Sequence, residues 1–174
     1  MIIGFTGTRT EPTWQQRNNL RKFVENTHIG EVHHGACTGA DELMHQTALI
    51  HSVPSIVVHP PLKTMHMMAP DWNHDNVIVL PPKGYYERDI DIVTPTEPVD
   101  LLLAMPNTPR RPHSGTWLTI DIADAANVPV LILWPDGRME PYLGAHAMRR
   151  GVQWYASTQQ LRDLLDRKRN DVTP

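Results

Sequence analysis

The chain has 174 residues, 40% of them hydrophobic and 20% charged, with a net charge of −3 and one cysteine. This is enough apolar material for one ordinary core and too little for two, so a single domain over residues 1–174 is expected, with residues 1–135 as its recognisable core and 136–174 as an extension. The mild acidity lacks the basic footprint of phosphate-backbone binding, which argues against a nucleic-acid partner, and the lone Cys37 excludes an internal disulfide and fits a reducing compartment.

The N-terminal MIIGFTGTRT begins directly on a strand-like run with no positively charged leader, and no apolar run approaches membrane-spanning length. A soluble cytoplasmic protein is expected. Short runs rich in Val, Ile and Leu recur at 1–5, 31–35, 54–60, 76–80, 99–106 and 129–135, with little strict alternation, as in strands of a mainly parallel sheet covered on both faces. Helical spacing falls between them. Pro12–His28 carries Trp14, Leu20, Phe23 and Val24, with Pro12 suited to the first turn; Ala40–His51 carries Leu43, Met44, Thr47 and Ala48. Gly115–Asn127 carries Trp117, Ile120 and Ala123, and Ser157–Arg169 opens on the capping-box pattern STQQ before Leu161, Leu164 and Leu165. Strand alternating with helix predicts an α/β fold of Rossmann-like, doubly wound type. Pro60–Asn76, rich in Met, His and Pro, and the polar Asn107–Ser114 break the rhythm, and irregular loops between firm strands are frequently functional.

Ligands of open parallel sheets bind beyond the carboxyl ends of the strands, where loops enter helix N-termini. Three such exits carry anion-holding chemistry. In GFTGTRT, Gly7 permits a tight turn, Thr8 offers a hydroxyl and Arg9 a planar cation. In HHGACTGAD, Gly35 and Gly39 permit close backbone approach, and amides at the following helix start are expected to point outward. In RRPHSGTW, Ser114, Gly115 and Thr116 open a helix behind Arg110 and Arg111. Each set of glycines could serve its turn alone, but three together point to a phosphate-bearing ligand. Neither Gly-Lys-Ser/Thr nor GxGxxG occurs, which counts against ordinary ATP hydrolysis and nicotinamide redox chemistry; no cofactor is expected.

Ten histidines call for a metal test. His33 and His34 would point to opposite faces of a strand. Asp41 and His45 share a helix face at i and i+4, yet no HExxH or Cys/His quartet occurs, so no metal is expected; Asp41 reads as a helix cap and His45 as a packed or hydrogen-bonded side chain. Cys37 near a helix start has no nameable base and reads as a small residue in a tight loop. The Met65, Met67 and Met68 group fits either a pocket lining or core.

The segments GFTGTR, HHGACTGADELMHQTA, HPP, YYERDIDIV and DLLLAMP…SGTWLTIDIADAANVPVLIL occur in order over residues 1–135. Together they resemble the SMF/LOG superfamily of Rossmann-like proteins, which includes DNA-processing protein A, LOG-type nucleotide phosphoribohydrolases and small nucleotide-binding members. The resemblance implies that Gly35, Ala36, Gly39 and Asp41, with Ser114, Gly115 and Thr116, cradle a nucleotide phosphate, and that Gly7, Thr8 and Arg9 close the site. It makes His59, Glu87 and Arg88 candidates for contacts to base or sugar, and implies a homo-oligomer associating through helices. The LOG-type pattern places a glutamate three residues after the Thr of its Gly-Thr, where this chain has Thr119. A threonine cannot supply the negative charge that stabilises a cation-like sugar, and Asp121 is rotated about 200° away around the helix. Hydrolysis would then need Glu87, Asp89, Asp41 or Glu42 from another wall. The expected function is binding or sensing of a nucleotide-type small molecule; the alternative is an N-glycoside hydrolase using a relocated carboxylate such as Glu87. A single-stranded DNA module is the most distant reading.

Overall fold

A computed structural model describes residues 1–69, 72–142 and 144. The expected Rossmann-like α/β architecture is present. Strands β1 (Ile2–Gly7), β2 (Glu31–His34), β3 (Ser55–Val58), β4 (Val77–Val79), β5 (Leu101–Met105), β6 (Val130–Leu133) and β7 (Met139–Pro141) form one sheet in the order β4-β3-β2-β1-β5-β6-β7. Every pairing is parallel except β6 with β7. Strand order reverses between β1 and β5, the place where an open α/β sheet leaves a crevice beyond its strand ends.

Helices α1 (Trp14–Glu25) and α2 (Ala40–Ile50) cover one face, and α3 (Tyr85–Val93) and α4 (Gly115–Ala125) the other. Alternation along the central strands feeds both layers. Leu101, Leu103 and Met105 of β5 face the first, against Leu20, Phe23 and Met44; Leu102 and Ala104 face the second, against Ile92, Trp117 and Ile120. At Gly4 the second layer comes closest: an added Cβ would lie 2.8 Å from the Ile92 carbonyl oxygen of α3. No helix among the described residues is long and apolar enough to cross a membrane.

The helix expected from Pro12 begins two residues later, at Trp14. Thr13 is the N-cap: its hydroxyl accepts the Gln16 amide, the Gln16 side chain accepts the Thr13 amide, and Pro12 lies just outside. Two elements lie beyond the sequence expectation. YYERDIDIV is a helix whose buried stripe is Arg88, Asp89, Ile92 and Val93; its charges conceal the apolar period. Strand β7 follows a hairpin through Pro135-Asp136-Gly137, with Gly137 at φ 88°, so the extension begins as part of the sheet. The anticipated helix Ser157–Arg169 lies outside the described residues. Pro60–Asn76 is not uniformly irregular: Thr64–His66 forms a 3₁₀ turn, and Met68 is buried in the main core while Met65 is exposed.

The four buried histidines satisfy one another in two pairs on opposite faces of β2, as the strand period requires. Ser55 and His33 both donate to Glu31, which fixes the proton of His33 on Nε2, and His59 Nε2 donates to His33 Nδ1 at 2.9 Å. On the other face the Ala36 amide donates to His34 Nδ1, leaving His34 Nε2 to donate to His45 Nδ1 at 3.0 Å. Burial holds the pKa of His33 and His34 down and brings His59 to about 4.

The close approach at Gly4 makes a direct test. Gly4→Ala is expected to lose about 1–3 kcal/mol of unfolding free energy in urea titration, because helix backbone must move. Gly30→Ala, whose Cβ would meet only ordinary contacts at 3.8 Å, should lie within about 0.5 kcal/mol of the parent.

Candidate functional site

Gly7 and Thr8, at the end of β1, tie the three elements around the crevice together. The Thr8 amide donates to the Met105 carbonyl of β5 at 2.9 Å, the Thr8 carbonyl accepts the Ala40 amide of α2 at 2.9 Å, and the Gly7 carbonyl accepts the Thr116 hydroxyl of α4 at 2.9 Å. A Cβ on Gly7 would collide with that of Ala40. Beyond this junction lies a cleft of about 840 Å³ bordered by Arg9, Tyr85, Asp89, Arg110, Arg111, Trp117 and neighbours, opening from an inner recess of about 180 Å³. The recess is bordered by Gly7, Thr8, Arg9, Asp41, Arg88, Arg111, His113 and the start of α4.

The first and third glycine loops therefore meet at one crevice, and the second loop largely closes on itself. Its amides are taken by protein acceptors: Ala36 by His34, Cys37 by Asp41 Oδ2 at 3.1 Å, Thr38 by the His66 carbonyl, and Ala40 by Thr8. Gly39, at φ 83°, exists to admit the Thr8 and Thr10 carbonyls, which would lie 2.6 and 2.7 Å from an added Cβ. Gly35, Ala36 and Gly39 border neither cavity. The expectation that amides after Gly35 and Gly39 face a ligand is thus corrected: the chain's own His34 ring, Asp41 carboxylate and backbone carbonyls occupy the donors of Ala36, Cys37, Thr38 and Ala40. Asp41 is likewise not the helix cap, since Gly39 holds that position; its carboxylate reaches back into the loop.

At α4 the outcome differs. Ser114 caps the helix through its hydroxyl, accepting the Trp117 amide, while the Gly115 and Thr116 amides meet no acceptor among the described residues. An added Cβ on Gly115 would meet nothing within 4 Å, so this glycine faces open space. His113, just before the cap, has φ 58°, a conformation that costs a non-glycine side chain energy and that recurs at functional sites.

The arginines divide by partner. Arg88 is buried, donating from Nη1 to the Gly35 carbonyl at 2.9 Å and from Nη2 to Asp89 Oδ1 at 3.0 Å. Arg110 forms a two-pronged ion pair with Asp121 at 2.7 and 2.5 Å. Arg9 lies 5.0 Å from the Tyr85 ring centre, and neither Arg9 nor Arg111 has a hydrogen bond or ion pair to a described residue. These two are the cations open to an incoming anion.

His59 is sealed inside its histidine pair, and Glu87 is exposed, folding back over Gly84 at the start of α3; neither borders the two cavities. Two carboxylates do border the cleft: Asp121, held by Arg110, and Asp89, one helical step from Arg88, with its pKa raised by burial against the opposing pull of Arg88. The Thr119 hydroxyl donates to the Gly115 carbonyl at 3.0 Å and lies close enough to Asp89 to hold its pKa down, so the position that lacks a glutamate sits beside another carboxylate. Tyr85, Asp89, Trp117 and His113 are site residues that the glycine loops alone do not reveal. For the first two the signal is the spacing 85, 88, 89, 92, 93, one stripe of a helix. Cys37 is buried with its pKa raised, contrary to a reactive thiol. The methionine group borders neither cavity, and no cluster of three or more metal-ligating side chains occurs among the described residues.

No family model, curated protein or solved structure matches this chain. Fold and site together define a Rossmann-like α/β chain with an arginine-lined crevice at its switch point.

Burial raises the pKa of Asp41 from 3.8 to about 6, with Arg88 opposing. A raised folded-state pKa means that this stability is complete below about pH 4 and lost as pH rises through about 6. His33, His34 and His59 act in the opposite sense, since their lowered pKa values cost stability as pH falls below about 6.5. Asp41→Asn is therefore expected to gain on the order of 2–3 kcal/mol over the parent at about pH 8 and almost nothing at about pH 4, measured by denaturant unfolding. Parallel pH curves for the two proteins would contradict the burial argument.

Proposed function

We propose that the chain binds a nucleotide or nucleotide-derived phosphate ligand, holding it for binding or sensing. The observation that carries this reading is the convergence of Arg9, Arg111 and the open Gly115 and Thr116 amides on one recess at the β1–β5 switch point. Two cations with no ionic partner among the described residues, beside a helix N-terminus, attract a phosphate group through guanidinium hydrogen bonds and the positive end of the helix dipole. Half-buried Tyr85 borders the outer cleft and offers an aromatic surface for a planar base, and the cleft's volume suits a nucleotide-sized molecule. The resemblance to the SMF/LOG superfamily agrees with this reading, though the second glycine loop contributes architecture in place of the phosphate contacts the family pattern implies. A cytoplasmic location and self-association through helices belong to the same proposal and rest on sequence alone.

A second reading, an N-glycoside hydrolase, is favoured by Asp89. This buried carboxylate borders the cleft beside Thr119, where a negative charge would stabilise a cation-like sugar; Glu87, the sequence-level candidate, lies outside it. Asp89 is already paired with Arg88, which lowers its capacity to act, so binding is the primary reading.

The test is titration of the purified chain with nucleoside monophosphates and cyclic and ADP-ribose-type nucleotides, by calorimetry and by chromatography for free base. Arg9→Ala and Arg111→Ala should each weaken binding by about tenfold or more, and Gly115→Phe should block it with unfolding unchanged. Arg110→Ala should matter less, its charge being committed to Asp121. Unchanged affinity in both Arg9→Ala and Arg111→Ala would sink the site; base release that disappears in Asp89→Asn would establish the hydrolase.

A further inference from the structure

Resting on the anion site just proposed, one residue in the recess stands against its neighbours. Asp41 is 5% exposed, and its Oδ2 accepts the Cys37 amide. Its other oxygen, Oδ1, receives no hydrogen bond from a described residue, yet the side chain borders the recess. A buried carboxylate beside a space built for an anion is a conflict of like charges that a well-formed complex must resolve. Arg88 resolves it only in part: its charge favours the carboxylate, but its hydrogen bonds go to the Gly35 carbonyl, the Cys37 sulfur and Asp89.

We propose that Asp41 enters the ligand complex as a neutral carboxyl whose Oδ1–H donates a hydrogen bond to the bound anion, so that anion binding in the recess takes up one proton from solvent. The bookkeeping is simple: the carboxylate gains one proton, the anion keeps its charge, and no covalent bond to the ligand forms or breaks. Only the protonated form has a donor to offer, and a low-polarity site keeps a carboxylic acid neutral for this purpose. The free protein is poised for the change, since burial brings the Asp41 pKa to about 6. The charged and titratable groups facing Asp41 are Arg88 and Asp89 from α3, Arg9 from the β1–α1 loop and Cys37 from its own loop. His45, one turn along α2, is held by His34, and Arg111 and His113 border the same recess. Of these, His113 is a second ionisable side chain bordering the recess, so the test must separate it from Asp41.

Sulfate and selenate serve as probes, because their charge is constant between about pH 5 and about pH 8 whereas a phosphate monoester titrates there. Calorimetry on the parent chain, in buffers of different ionisation enthalpy at about pH 7.5, should report uptake approaching one proton per bound anion. The dissociation constant should rise about tenfold per pH unit above about pH 6. His113→Gln should keep that uptake, and Asp41→Asn should abolish it and flatten the dependence above about pH 6.5. Binding without proton uptake, or uptake that survives in Asp41→Asn, overturns the role of Asp41 and leaves the anion site standing. No anion binding at any pH overturns the site itself, and this proposal with it.

Discussion

The arrangement depends on two residues of backbone. Gly7 and Thr8 sit where strand order reverses, and their amide and carbonyl groups bind β5, α2 and α4 at once. Such bonds are modest individually, about 1 kcal/mol each net, but these are buried, and leaving any of the groups unpaired costs more than making the bond gains. The absent side chain of Gly7 lets α2 close on β1, and the absent side chain of Gly39 admits the Thr8 and Thr10 carbonyls from the other side. Two glycines thus interlock two loops, and the crevice follows from where that junction ends.

The junction also settles which helix start faces outward. A helix N-terminus needs acceptors, and α2 finds them within the chain: the Thr8 carbonyl at its first amide and the Asp41 carboxylate in the preceding loop. Among the described residues the start of α4 is served by the Ser114 hydroxyl alone, and the Gly115 and Thr116 amides, which meet no acceptor there, belong to residues that border the recess. The same division runs through the charges, with Arg88 and Arg110 fixed by aspartates and Arg9 and Arg111 left at the recess. A sequence rich in glycines and arginines thereby yields a small zone of uncommitted positive potential within an otherwise neutralised wall.

Much of the architecture could be read from the chain directly. Six apolar runs mark the six parallel strands, because strands buried on both faces need continuous Val, Ile and Leu, and three of the four helices follow from apolar spacing. What escaped was local chemistry that mimics something else. Arg88 and Asp89 lie on the buried stripe of α3 and disguise it, since a mutually paired ion can sit where period alone expects an apolar residue. The site was half legible for a related reason. Glycine spacing identifies loops capable of holding an anion, as at Gly7 and Ser114–Thr116, but gives no sign that Asp41, four residues beyond Cys37, turns back to fill its own loop. Tertiary distance likewise removes Glu87 and His59 from the crevice and brings Tyr85, Asp89 and Trp117 to it.

The two histidine pairs across β2 carry an evolutionary consequence. Each hydrogen-bonded ring nitrogen has a set direction of donation, so the four rings and Glu31 work as matched sets rather than as separate core positions. Exchanging one member alone orphans its partner in a dry interior, while exchanging both for apolar side chains of similar volume removes that orphan and leaves the anchor of each pair, the Glu31 carboxylate or the Ala36 amide, to find another partner. The histidines at 33 and 59, and those at 34 and 45, should therefore be inherited or lost as couples. Descendants of this sequence would cross between the polar and apolar versions of the core through paired substitutions, with single replacements selected against on the way.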